Sequence, residues 1–91
     1  MYWVYIITNK HHTTLYVGVT GFIHHRIAQH KSMSKPGFSQ RYRLTKLVYL
    51  EEAEDPYSAI QREKQIKRWR RDKKVRLIES MNPEWRDIPI G

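Results

Sequence analysis

Residues 2 to 8 read Tyr-Trp-Val-Tyr-Ile-Ile-Thr, a β-favouring run with large side chains at odd and even positions alike. A strand points alternate residues to opposite faces, so Trp3, Tyr5 and Ile7 share one face and Tyr2, Val4 and Ile6 the other. This is a two-sided strand, too short and without the basic lead of a signal peptide or membrane span. The polar stretch Asn9 to Thr14 separates it from Leu15-Tyr16-Val17-Gly18-Val19. The simplest pairing is an antiparallel hairpin, with Leu15, Val17 and Val19 on one face and Tyr16 and Gly18 on the other.

Thr20 is placed to cap a helix from about Gly21 to Met33, with Phe22, Ile23 and Ile27 as its apolar stripe and Ser34-Lys35-Pro36-Gly37 as its end. A third strand is readable from Arg43 to Leu50. Asp55-Pro56 supplies an N-cap and a first-position proline for a long helix reaching about Arg71. Asp72-Lys73-Lys74 then marks a break before a shorter helix carrying Val75, Leu77 and Ile78. The segment from Met81 onward holds too many prolines to be helical, while Trp85 and Ile88 give it apolar side chains with which to dock. Ninety-one residues sustain one core, so residues 1–91 are expected to form one domain, with 82–91 a docked or partly flexible tail.

That core must rest on packing alone. There are no cysteines, which excludes disulfide frameworks and Cys-based zinc sites, and together with the missing leader favours the cytoplasm. Seventeen Lys and Arg against nine Asp and Glu give a formal charge of +8, a strong field for polyanions on so small a surface. Nucleic acid is the expected partner. A membrane is not, because the cations do not stand opposite one clean apolar helical face. Charge alone also fits a nonspecific basic protein.

Several polar residues sit where a core would take aliphatics. Arg26 follows Phe22 by four residues, and His30 follows Arg26 by four and Ile27 by three, so both lie on or beside the first helix's stripe. Glu63 stands four residues after Ala59 and three before Ile66. The plainer account of each is a snorkelling arginine, a rim histidine and an internal salt bridge to Arg62 or Lys67. Hairpin pairing would bring the Tyr5 and Tyr16 hydroxyls to one face. Gly18, on the same face as Tyr16, either leaves room for close approach to the backbone or is a packing or bulge glycine. The pairs His11-His12 and His24-His25 are read as surface residues, since neighbours in sequence point apart. Trp69 and Trp85 are read as core or tail anchors.

Taken together, Val4-Tyr5, Tyr16-Val17-Gly18, Arg26, His30, Glu63 and Asn82 form an ordered set. With these residues the sequence resembles the GIY-YIG nuclease superfamily, in particular its small stand-alone bacterial members. The resemblance runs from Tyr2 to Asp87 and departs in the first motif, which reads Trp3-Val4-Tyr5 in place of Gly-Ile-Tyr. It implies an α+β fold, a small antiparallel three-stranded sheet flanked by helices in the order β-β-α-β-α-α. It also implies a metal-dependent endonuclease acting on DNA in repair or recombination. The alternative is a nucleic-acid-binding module of the same fold with weak or no activity.

The resemblance further implies that Glu63 ligates one divalent ion. A lone carboxylate completed by waters and substrate oxygens suits Mg²⁺, with Mn²⁺ as the alternative. Arg26 offers a planar, permanently charged fork for the phosphate. Tyr5 or Tyr16 is the expected general base, His30 a hydrogen-bond partner or proton relay, and Gly18 and Asn82 supporting residues. Lys64, Lys67, Arg68, Arg70, Arg71, Lys73 and Lys74 surround Glu63 in sequence and are expected to hold phosphates. No recognition helix or zinc finger is visible, so cleavage should be structure-directed or weakly sequence-specific. The expected partner is DNA, with RNA as the alternative, met by a monomer or weak homodimer to which another protein supplies specificity.

Overall fold

Strand β1 (Tyr2–Thr8) stands between β2 (Leu15–Thr20) and β3 (Lys46–Ala53) in the computed structural model, which describes residues 1–32 and 43–90. Both pairings are antiparallel. The central place suits a strand with two apolar faces, and Val4, Tyr5, Ile6 and Ile7 are all buried. The described residues form three helices, α1 (Ile23–Ser32), α2 (Pro56–Lys67) and α3 (Arg71–Met81), so the elements run β-β-α-β-α-α. This is the predicted α+β architecture.

The sheet is covered on both sides. Val4, Ile6 and Val17 pack with Ala59 and Ile66 of α2, Ile78 of α3 and Trp85. On the other face Tyr5, Ile7 and Leu47 pack with Ile23 and Ile27 of α1 and with Leu44, and Ile88 and Ile90 lie against them. The alternation read from the sequence holds in β1. It holds in β2 as well, with Leu15, Val17 and Val19 on the α2 side and Tyr16 on the α1 side.

Several element boundaries differ from expectation. Helix α1 begins at Ile23, because Thr20 Oγ1 accepts from Phe22 N (3.0 Å) and Phe22 O takes the first helical bond from Arg26 N (2.9 Å). Phe22 is thus the cap residue itself, and its side chain is exposed instead of joining the stripe. The predicted end of this helix at Met33 to Gly37 lies outside the described residues. Strand β3 starts at Lys46 and continues to Ala53, since Arg43 takes a positive φ of 54° and Leu44 turns into the core before pairing begins. The helix break falls at Arg68–Arg70, where Arg70 is extended (ψ 161°), so Asp72, Lys73 and Lys74 lie in the first turn of α3. Met81 closes that helix and is no part of the tail. The Asp55-Pro56 start is as expected, Asp55 Oδ1 accepting from Ser58 N at 2.7 Å.

Beyond α3 the chain runs along the outer edge of β3. Ile88 N donates to Leu47 O (2.8 Å) and Leu47 N donates to Asp87 Oδ1 (3.0 Å), which covers edge groups that would otherwise be open to another strand. The register of β1 with β3 shifts between Ile6 and Ile7, passing over Val48. Asn82 Nδ2 donates to the Val48 carbonyl (3.1 Å) and to Arg86 O (2.8 Å), so the amide satisfies the bulge and turns the tail at once.

Candidate active site

On the α1 side of the sheet three aromatic rings converge. Tyr5 and Tyr16 are 6.5 Å apart between centroids, Tyr5 and His30 5.9 Å, and Tyr16 and His30 6.1 Å. The Tyr5 hydroxyl lies 3.3 Å from His30 Nε2. Pairing across the hairpin sets Tyr5 opposite Gly18, and a β-carbon built on Gly18 would fall into the Tyr5 ring and hydroxyl. The glycine therefore makes room for a side chain of the chain itself. Of the two readings open in the sequence, it serves packing.

Arg26 and Glu63 stand near enough for their charges to act on Tyr5. Tyr5 is held above the ordinary pKa of a phenol, first by burial and then by Tyr16 and by Glu63, with Arg26 pulling the other way. Both charges thus bear on the Tyr5 hydroxyl although they come from different helices. The two tyrosines differ in access, Tyr5 being 1% exposed and Tyr16 half-buried, like Arg26 and His30.

Glu63 stands on α2, which packs against the opposite face, and its side chain is largely buried at 13% exposure. Lys67 Nζ contacts Glu63 Oε2 at 2.8 Å, one turn along the helix. Its neighbour Arg62 is fixed on the other flank, Nε donating to Glu51 Oε2 (2.9 Å) and Nη1 to Gln65 Oε1 (2.7 Å), while Tyr49 Oη donates to Glu51 Oε1 at 2.5 Å. This network holds α2 against β3 and so sets the rotation that aims Glu63. Burial, followed by the Glu51 hydrogen bond and charge, pushes the Tyr49 phenol up to about 12.

The other singled-out residues are distributed differently. Asn82 commits both amide hydrogens and its oxygen, which accepts from Arg86 N (3.0 Å), to backbone groups of β3 and the tail. Lys64, Arg68, Arg70 and Lys73 are exposed, Lys67 is paired with Glu63, and Arg71 donates to the backbone carbonyls of His12 and Thr13. Arg71 thus ties down the hairpin loop. His24, His25 and His11 lie on the surface as expected. His12 does not: its ring stacks on Trp85 at 4.6 Å and its Nε2 accepts from Lys46 Nζ at 3.0 Å. Trp85 is buried and anchors the tail.

Sequence reasoning missed one contact that bears on the site. Lys31, next to His30, donates to Asp87 Oδ2 and to Thr45 O, clamping the last turn of α1 to the tail. The partners are 56 residues apart, and no periodicity or motif links them.

Among the described residues no group of three or more His, Cys, Asp or Glu side chains is placed to hold an ion. A Mg²⁺ site does not need one, because this ion keeps several waters and takes one or two carboxylates plus substrate oxygens. Glu63, with Oε2 on Lys67 and a second carboxylate oxygen, fits that donor set. Among the described residues no helix is long and apolar enough to cross a membrane.

A family model described as the GIY-YIG catalytic domain matches residues 1–76, the span that holds Tyr5, Tyr16, Arg26, His30 and Glu63. Searches of curated proteins and of solved structures returned no match. With most of its length matched and with the β-β-α-β-α-α order in place, the chain belongs to the GIY-YIG catalytic domain family, a family of nucleases whose substrates are nucleic acids.

Proposed function

We propose that this protein is a metal-dependent endonuclease that hydrolyses DNA phosphodiester bonds, structure-directed or weakly sequence-specific, in repair or recombination. One observation carries the reading: two phenols, an imidazole, a guanidinium and a carboxylate from two strands and two helices all bear on the space around the Tyr5 hydroxyl. A scaffold alone does not call for that set, since each polar group drawn inward costs desolvation.

The residues divide the work as follows. Tyr5 is buried and raised in pKa, so it rests as a neutral phenol and orients His30 through the 3.3 Å contact. Tyr16 is the phenol that a water can reach, and it takes the proton of the attacking water. It must hand its own proton on in the same step, and His30, 6.1 Å ring to ring, is the receiving group. Arg26 binds the phosphoryl oxygens as charge builds on them. Glu63 would hold one Mg²⁺ or Mn²⁺, which when bound supplies charge stabilisation to the departing 3′ oxygen. Incubating the protein with nicked, branched, single-stranded and duplex DNA plus Mg²⁺ or Mn²⁺ tests the reading. Cleavage lost in Glu63→Ala supports it. Wild type that cuts nothing beyond what Glu63→Ala cuts refutes it for those substrates.

A second reading is favoured by the 2.8 Å ion pair between Lys67 and Glu63, which already neutralises the carboxylate. On that reading the protein is a nucleic-acid-binding module of the same fold, and Glu63 is structural. It requires salt-dependent binding that survives Glu63→Ala and Tyr16→Phe, without cleavage.

A further inference from the structure

Helix α2 has two flanks. At about 100° per residue, Glu63 and Lys67 fall on one side of the buried line through Ala59 and Ile66, and Arg62 and Gln65 fall on the other. The cations read from the sequence as one basic stretch around Glu63 are therefore divided by the helix. Lys67 stays with the carboxylate, whereas Lys64 and Arg68 point outward and line a groove with Arg62, Tyr57 and Trp69.

That groove, about 700 Å³, adjoins a second of about 380 Å³ at the start of α3, and the two share Arg68 and Trp69. Arg70, Lys73 and Arg76 complete the second groove, whose acid, Asp72, is paired with Arg76 at 3.6 Å. Trp69, half-buried against the core, holds two cations over its ring, Lys73 Nζ at 4.3 Å and Arg62 Cζ at 5.3 Å from the centroid. Arg62 is committed to Glu51. Among the described residues, Lys64, Arg68, Arg70 and Lys73 form no ion pair, so four like charges are collected at one corner without internal compensation. Such an arrangement opposes folding by self-repulsion and attracts a polyanion.

We infer that the α2–α3 corner around Trp69 is a second contact site for the phosphodiester backbone of a nucleic acid, on the flank of α2 away from Glu63. The inference rests on the nucleic-acid reading of the fold but not on catalysis. Its ligand is the backbone: Trp69 serves to hold cations, and a ring already covered by Lys73 is not a platform for a base. The nucleic acid is thus held on the flank of α2 away from Glu63, whether or not the Glu63 flank cleaves it.

The test is binding of a fluorescently labelled DNA oligonucleotide without divalent ions, followed by anisotropy across a salt series. The variants are Arg68→Ala with Lys73→Ala, the same pair changed to Gln, and a charge-matched control, Lys10→Ala with Arg43→Ala, at exposed positions elsewhere. For both corner variants affinity at 0.1 M salt should fall by roughly 10–100-fold, the loss that two retained counterions imply. The slope of log K against log salt should become shallower by about one per cation removed. The control should behave as wild type. Corner variants that bind like wild type, or a control that loses as much as they do, overturn the inference. Absence of cleavage in the presence of Mg²⁺ or Mn²⁺ would remove the nuclease proposal and leave this result standing.

Discussion

The two faces of β1 come from one seven-residue strand and do different work. On the side of Val4 and Ile6 the cover is mainly apolar, with Ala59, Ile66, Ile78 and Trp85 filling the space over Val17 and Val48. On the side of Tyr5 and Ile7 the cover is thinner: one helix, Leu44 and the tail, with phenols and an imidazole gathered beside it. Alternation thus separates stability from chemistry by a single residue step along the chain. Substitutions on the first face should cost folding, and those at the polar cluster should cost turnover.

The sharpest way to break this division lies within α2. Ile66→Ala removes a fully buried side chain and should destabilise the fold by about 2–5 kcal/mol in urea titration, leaving kcat per folded molecule unchanged. Glu63→Gln, three residues earlier, should lower cleavage by about 10²–10³-fold and, because its partner Lys67 is half exposed, shift stability by no more than about 1 kcal/mol. Equal effects on both properties from either variant would contradict the separation.

Gly18→Ala should cross the boundary. Its β-carbon meets the Tyr5 ring, which must tilt away from His30, so stability should fall by about 1–3 kcal/mol and activity should fall with it. An Asp87→Ala variant probes the clamp that ties α1 to the sheet, since it leaves Leu47 N without its partner. A loss of about 1–2 kcal/mol is expected, with faster hydrogen exchange at Leu47 and at the end of α1. The Lys31 contact is too exposed to contribute much to that figure.

The smallest effect compares one phenol from each side. Burial first, then Glu51, pushes Tyr49 up to about 12, and burial raises Tyr5 as well. A folded pKa above the unfolded value of 10.0 means that stability is intact below pH 10 and is lost as pH rises through the folded pKa, for Tyr49 between 10.0 and about 12. Phenolate absorbance should therefore show a late-ionising component that loses one tyrosine in Tyr5→Phe and one in Tyr49→Phe.

Strand faces were legible in the sequence because a period of two sorts every residue of β1 and β2 without tertiary information. The cap at Asp55-Pro56 was legible for a similar reason, its chemistry being local. Phe22 was misplaced because the Thr20 hydroxyl bonds to the next residue but one, which moves the helix start past the phenylalanine. The α2–α3 break was misplaced because Arg68, Trp69 and Arg70 carry no glycine or proline; the turn is set by Trp69 packing on the core. Of the candidate site, the resemblance named the five polar residues, and only the fold could show that Tyr5, Tyr16 and His30 stand together. The Lys31–Asp87 clamp and the splitting of the basic stretch by α2 depend on distant contacts and helix phase, which composition does not carry.

The central claim is that five side chains meet around one bound cation and one phosphate. Its most direct test is a crystal of Glu63→Gln and of wild type, each soaked with Mn²⁺ and a short DNA oligonucleotide, compared by anomalous scattering. In wild type a manganese peak should lie on the Glu63 carboxylate with a phosphate against Arg26, and in Glu63→Gln the peak should vanish. A peak in wild type that avoids Glu63, or one that persists unchanged in Glu63→Gln, would contradict the account.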